Sequence, residues 1–176
     1  MALAFATKQS VWPILPFYIA YVFFQSKSIS KTVKELSLFV VTFLVVTLPF
    51  FLWNMRAFLD STVFYLSGTV AHSYPISGYG LGMVLNQFGV IKNLNSYYPF
   101  FLWQLVIGVP LMVILLRYFK KSHSVKRLIV IYGIFLFVFW YLSRYFNNSH
   151  VSYLSTVFIT AFFWPESEST KRVANG

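Results

Sequence analysis

The residues that most enzymes use for acid–base chemistry are scarce in this chain. Its 176 residues include four acids: Asp60, Glu35 among lysines, and Glu166 and Glu168 near the C-terminus. Paired carboxylates for hydrolysis and carboxylate clusters for a metal ion are therefore absent from the sequence pattern. The three histidines are widely spaced, and the lack of cysteine excludes disulfides, zinc thiolates and thiol nucleophiles. The sequence predicts no metal site and identifies no cofactor.

Two basic residues are the strongest candidates for binding a ligand. Arg144 follows Trp140 and Tyr141 at the end of an apolar run. A charge in such surroundings is costly, so it tends to face a cavity or a partner, and an interfacial anchor is the alternative. Lys8 opens an apolar run. It would either bind a ligand or simply extend its ammonium group to water. An arginine fork and a lysine ammonium would both bind a phosphate group.

Four further residues are weaker candidates for the same site. Arg56 and Asp60 lie four apart, so they would either contact a ligand or pair on a helix surface. His72 lies in the turn-rich segment HSYPISGYG. Asn147 follows Arg144 in LSRYFNNSHVSYL and would act as a polar helper.

The composition indicates an integral membrane protein. Hydrophobic residues make up 58% of the chain and charged residues 10%, and the mean hydropathy is +0.68. Soluble domains carry about 25% charged residues, so this chain cannot cover a soluble globule. The net charge of +10 comes from short basic clusters beside apolar runs. That pattern favours contact with a lipid bilayer and argues against nucleic-acid binding.

Five segments approach the length of about 20 apolar residues that crosses a bilayer. The sequence therefore predicts an all-α, polytopic transmembrane helix bundle, formed as a single membrane domain by residues 1–165. Prolines interrupt the first segment, and the fifth is short and rich in hydroxyl groups, which favours packing against protein. The predicted spans are residues 5–24, 36–53, 98–119, 125–142 and 149–164.

The basic residues predict the orientation. Four lie at one end of the predicted spans: Lys8, Arg56, Lys92 and Arg144. The other ten are expected in the cytoplasm by the positive-inside rule. The chain would then lie in the plasma membrane with its N-terminus outside and its tail, residues 166–176, in the cytoplasm. An outside N-terminus without a leader is natural where further spans precede it, so the chain is expected to be part of a longer protein.

Residues 54–97 form a long extracytoplasmic stretch, which we call the cap. A connection of this length more often forms a lid or a binding loop than a free linker. Apolar residues recur at helical spacing before Gly68 and again before Gly89. The cap is therefore predicted to contain two short amphipathic helices in the membrane interface, on either side of HSYPISGYG.

Three local patterns resemble the C-terminal half of bacterial membrane glycosyltransferases of the GT-C superfamily, including the mannosyltransferase-like family 87 group. They are KQSVWPILPF (8–17), the stretch from LPFFLWNMRAFLD to SGYGLGMVL (48–85), and LSRYFNNSHVSYL (142–154). The resemblance implies a polyprenyl-phosphate-linked sugar as donor. Lys8 matches a lysine that would meet the donor phosphate, and Arg144 matches an arginine at the outer end of a late span. The catalytic acid of these enzymes lies in the first extracytoplasmic loop, which has no counterpart here, and Asp60 is not given that role. This chain is therefore expected to lack the catalytic acid and to be incomplete as an enzyme by itself.

The residues also allow two other functions. The chain would be a portion of a transporter or flippase if Lys8 and Arg144 line a pathway between helices broken at proline. Alternatively, it would be a non-catalytic membrane assembly subunit. The partners expected for the glycosyltransferase are the lipid bilayer, a lipid-linked sugar and an upstream half of the same parent protein.

Overall fold

The computed structural model describes residues 1–165, which are mainly helical; the predicted tail, 166–176, lies outside them. The chain is 75% helix and 2% strand, which confirms the all-α class. The helices of the described part are α1 Ala2–Thr7, α2 Leu15–Ser26, α3 Ile29–Trp53, α4 Met55–Leu59, α5 Tyr65–Ser67, α6 Leu81–Gln87, α7 Phe100–Trp103, α8 Val109–Lys120, α9 Val125–Tyr141 and α10 Asn148–Phe163. The strands are β1 Ser77–Gly78 and β2 Tyr145–Phe146.

Two π-helical turns join neighbouring helices into longer ones. Asp60–Phe64 connects α4 to α5, and Gln104–Gly108 connects α7 to α8. The second of these composite helices, Phe100–Lys120, and helix α3 are each long and apolar enough to cross a membrane. Helices α9 and α10 occupy the positions predicted for the fourth and fifth spans.

The predicted span 5–24 is not one helix. Lys8 has extended backbone, with φ −151° and ψ 122°, and separates α1 from a 3-10 segment, Gln9–Ile14. Helix α2 then begins at Leu15, with Pro16 in its first turn, where a missing N–H is tolerated. Its 12 residues extend about 18 Å, which is less than the hydrocarbon core of about 30 Å.

Helix α9 lies at the centre of the packing. It contacts α2, α8, α10 and the 3-10 segment. One buried cluster joins α2, α8 and α9 through Phe17, Phe119 and Ile131, which are fully buried. A second joins α9 to α10 around Leu136 and Leu154. Helix α3 instead packs on α1 and α2, and none of its most apolar stretch is buried.

The two predicted cap helices are present. The first runs from α4 through the π turn to α5 and ends at Gly68, whose φ of 88° is the left-handed conformation that commonly terminates a helix. The second, α6, ends at Gln87, just before Gly89. The cap has its own small core, made of Ile76, Ile91 and the nearby Phe100.

Candidate functional site

Arg144 fastens the cap to the connection between α9 and α10. Its side chain is 3% exposed. The guanidinium donates hydrogen bonds to three backbone carbonyls of the cap: Nε to Tyr74, Nη1 to Ser96 at 2.8 Å, and Nη2 to Leu94 at 3.4 Å. Because these carbonyls belong to two separate segments of the cap, one side chain ties both segments to the helices.

A short backbone pairing reinforces this contact. Strand β1 pairs in parallel with β2, so that Ser77 lies opposite Tyr145 and Gly78 opposite Phe146. The N–H of Tyr79 donates to the carbonyl of Phe146 at 2.6 Å. A Cβ atom at Gly78 would overlap that same carbonyl, so glycine is what lets the strands meet.

The charge on Arg144 has no acidic partner in the part of the chain that the structure describes. Among residues 1–165, no carboxylate forms an ion pair with it, and burial lowers the pKa of its guanidinium from the ordinary value. Arginine still remains protonated, since its pKa starts above 12. Of its five N–H donors, three make the hydrogen bonds described, which leaves two without a partner in the described chain.

A large cavity lies between the 3-10 segment, the first cap helix and the cap-facing ends of α9 and α10. We call it the Lys8 cavity; its volume is about 670 Å³. Most of its wall is apolar, including Trp12, Pro13, Pro16, Phe135, Phe139 and Trp140. Its polar groups include Lys8, Gln104, Tyr145 and His150.

Arg144 lines a second cavity, of about 360 Å³, which we call the Arg144 cavity. The two cavities share five lining residues, the shared wall: Val63, Leu66, Ser67, Gln104 and Ser143. Lys8 lines only the first cavity and Arg144 only the second. The structure therefore places these two cations in separate cavities, because the first cap helix lies between them.

The position of Lys8 is set by a polar contact across the helices. The hydroxyl of Tyr132 donates to the carbonyl of Ser10 at 3.0 Å, which holds the 3-10 segment against α9. The same hydroxyl lies 3.2 Å from that of Tyr153 on α10. The Nζ atom of Lys8 lies 5.8 Å from the centre of the Tyr153 ring. The break in the first predicted span thus presents Lys8 to the cavity.

His150 lines the Lys8 cavity, although it was not among the candidate residues from the sequence. Its ring contacts Trp140 and Tyr145, with centroid distances of 4.6 and 5.3 Å, in the wall of the Lys8 cavity. Burial raises the pKa of Tyr145 to about 12, so its hydroxyl stays protonated and able to donate. The sequence signal was local: His150 follows Asn147 by three residues, which is the spacing of a helix cap.

Asn147 caps α10 and lines neither cavity. Its Oδ1 accepts a hydrogen bond from the Ser149 hydroxyl at 2.7 Å, and its backbone N–H donates to Nδ1 of His150 at 3.3 Å. The residue predicted as a polar helper therefore orients His150 from outside the cavity.

The remaining candidates lie apart from both cavities. Arg56 is exposed and Asp60 half-buried, and these two described residues form no ion pair with each other. His72 is exposed, and its ring lies 6.1 Å from that of Tyr65. Within residues 1–165, no group of three or more His, Cys, Asp or Glu side chains is placed to hold a metal ion.

These features define a class of protein: an all-helical chain with two helices able to cross a membrane, and with a cap fastened beside two neighbouring cavities. Comparison of the chain with models of protein families, with curated proteins and with solved structures gives no match.

Proposed function

We propose that this chain is the C-terminal part of a membrane glycosyltransferase of the GT-C type, and that its Lys8 cavity binds a polyprenyl-phosphate-linked sugar. The observation that carries the proposal is the pairing of one cation with a large apolar wall. An isoprenoid phosphate has an apolar chain and an anionic head, and such a wall with Lys8 beside it complements both. Tyr145 and Gln104 would donate hydrogen bonds to sugar hydroxyls.

The exposed surface supports a multi-pass membrane protein with the five segments given above, the first of which is a broken helix. Along α3, Leu38, Val45 and Leu52 are each about 70% exposed, and a bilayer would cover such a surface. Helices α9 and α10, of 17 and 16 residues, extend about 25 Å each, which approaches the thickness of the hydrocarbon core.

The arrangement of the basic loops supports the proposed orientation. The side chain of Gln25 donates to the carbonyl of His123 at 3.2 Å, so the α2–α3 and α8–α9 connections lie side by side. Their lysines and arginines therefore gather at the end of α9 that is opposite Arg144 and the cap. One end rich in cations and one end poor in them is what the positive-inside rule describes.

Orientation can be tested by labelling single cysteines, since the chain has none of its own. Ala71 is exposed in the cap and Ser30 is exposed at the basic end. In intact cells, Ala71→Cys is expected to react with a membrane-impermeant thiol reagent, and Ser30→Cys only after lysis. The reverse pattern would show that the orientation is inverted.

The chemistry of transfer divides between this chain and the rest of the proposed parent. The acceptor hydroxyl oxygen would attack the anomeric carbon, and the bond from that carbon to the phosphate oxygen would break. The phosphate would leave with the electron pair, and Lys8 would stabilise its charge. No carboxylate from residues 1–165 lines the Lys8 cavity, so the base that takes the acceptor proton would come from upstream spans.

Substitution of Lys8 tests the binding site directly. In nanodiscs, Lys8→Gln is expected to weaken binding of a labelled polyprenyl phosphate about tenfold, because a charge-assisted contact is lost. Binding of the uncharged polyprenol should not change. Lys92→Gln is the matched control, since Lys92 is exposed in the cap and lines neither cavity. Equal binding by Lys8→Gln and the unaltered chain would exclude Lys8 from the site.

One observation favours a lipid transporter or flippase as the second candidate. The helix break at Lys8 resembles the discontinuous helices at transporter binding sites. Membranes that contain the full-length protein should transfer a labelled sugar from its polyprenyl phosphate if the protein is a glycosyltransferase. Movement of a labelled lipid phosphate across proteoliposomes, without sugar transfer, would indicate transport. If the protein neither transfers sugar, nor moves the lipid phosphate, nor binds it, the assembly subunit is the remaining function.

A further inference from the structure

We propose that the Arg144 cavity binds a second ligand, a small molecule carrying a carboxylate or phosphate group, at a site separate from that of the lipid-linked donor. Its role as the acceptor of the transferred sugar rests on the proposed function, whereas the oxyanion site itself does not. Three properties of this cavity support the proposal: its charge, its wall and its position beside the Lys8 cavity.

The buried charge of Arg144 would be stabilised by a counter-ion. A buried cation without an anionic partner is costly, and carbonyl dipoles offset that cost only in part. Arg144 is almost fully buried, has three carbonyls as its described partners, and keeps two N–H groups free of them. An oxyanion in the cavity would accept from those N–H groups in the geometry that arginine favours.

The wall of the cavity suits a small polar molecule with an apolar face. Aromatic rings are contributed by Tyr97, Tyr98 and Phe101, and hydroxyl groups by Ser67 and Thr69. The volume of about 360 Å³ is near the lower end of the usual range for small-molecule sites, roughly 300–1,000 Å³. A polyprenyl chain would need more apolar surface, which the larger Lys8 cavity has.

The position of the cavity explains why two ligands would lie side by side. The two cavities are adjacent, because the five residues of the shared wall line both of them. Two of its members come from π-helical turns: Val63 from Asp60–Phe64 and Gln104 from Gln104–Gly108. Such turns are rare and often occur at functional sites. Ligands in the two cavities would therefore lie next to each other at these shared residues, as a donor and an acceptor of a sugar must.

Equilibrium dialysis with inorganic phosphate, and separately with glucuronate, tests the site in the full chain. Phosphatidylcholine nanodiscs supply no net lipid charge that would compete. Arg144→Lys is expected to weaken binding about tenfold, since a lysine cannot reproduce the fork.

Arg144 also holds the cap, so a second variant is needed: Thr69→Phe narrows this cavity alone, because Thr69 does not line the Lys8 cavity. Lys92→Gln is the charge control and should bind normally.

The outcomes separate this proposal from the proposed function. Small-anion binding that is lost in Thr69→Phe, kept in Lys8→Gln, and undisturbed by saturating polyprenyl phosphate would establish two sites. Displacement of phosphate by the lipid in a one-to-one ratio would overturn the second site, as would equal binding by Thr69→Phe and the unaltered chain. Lipid binding without small-anion binding would overturn the Arg144 site and support the donor site in the Lys8 cavity. Small-anion binding without lipid binding would support the Arg144 site and overturn the donor site.

Discussion

Replacing Arg144 by methionine is expected to release the cap and to lower the free energy of unfolding by about 3 kcal/mol. Methionine keeps much of the apolar stem but removes every donor. The carbonyls of Tyr74, Leu94 and Ser96 then lose their charged partner together. Since Arg144 is 3% exposed, water replaces those hydrogen bonds only if the cap moves away.

Limited trypsin digestion in detergent would report this release at a defined bond. Lys92 lies in the cap beside the segment that Arg144 holds, and it is already exposed. Cleavage after Lys92 should become faster in Arg144→Met, whereas cleavage after Lys31, at the other end of the helices, should not. Arg56→Met is the matched control, because Arg56 is an exposed arginine of the same cap. Unchanged cleavage after Lys92 would show that Arg144 does not fasten the cap.

The partners of Arg144 show what the sequence could not predict. Its apolar surroundings were enough to make it the leading candidate, because a charge at the end of an apolar run is costly. Its three carbonyl partners, however, lie 70, 48 and 50 residues away along the chain. Contacts at such separations depend on how the cap docks. The placement of Lys8 and Arg144 in separate cavities depends on the same docking, so local sequence patterns do not indicate which cation lines which cavity.

The helices were easier to predict because their signals are local. Apolar periodicity gave the two cap helices, and glycines marked where they end. Helix α9 starts where Ser124 accepts a hydrogen bond from the N–H of Arg127, an ordinary serine cap. The break at Lys8 was harder to predict, although Pro13 and Pro16 indicated that the first predicted span is interrupted. It is stabilised by packing: the indole N–H of Trp12 donates to the carbonyl of Phe5 at 2.9 Å, which folds α1 back on the 3-10 segment.

Replacing Gly78 by alanine is expected to separate β1 from β2 and to lower the free energy of unfolding by about 3 kcal/mol. Two effects combine at this position. The φ of 92° lies in the region that residues with a side chain rarely adopt. In addition, the new Cβ would overlap the backbone carbonyl of Phe146, which cannot rotate away as a side chain would.

Gly89 separates those two effects, because it also has a positive φ, 73°, but a Cβ there meets no atom within 4 Å. Gly89→Ala should therefore cost only about 1 kcal/mol, the backbone part alone. The difference between the two variants, measured by denaturant unfolding followed through tryptophan fluorescence, isolates the close approach of the cap to the α9–α10 connection. If both variants lose the same stability, the close approach of β1 to β2 contributes nothing beyond the backbone cost of replacing a glycine at positive φ.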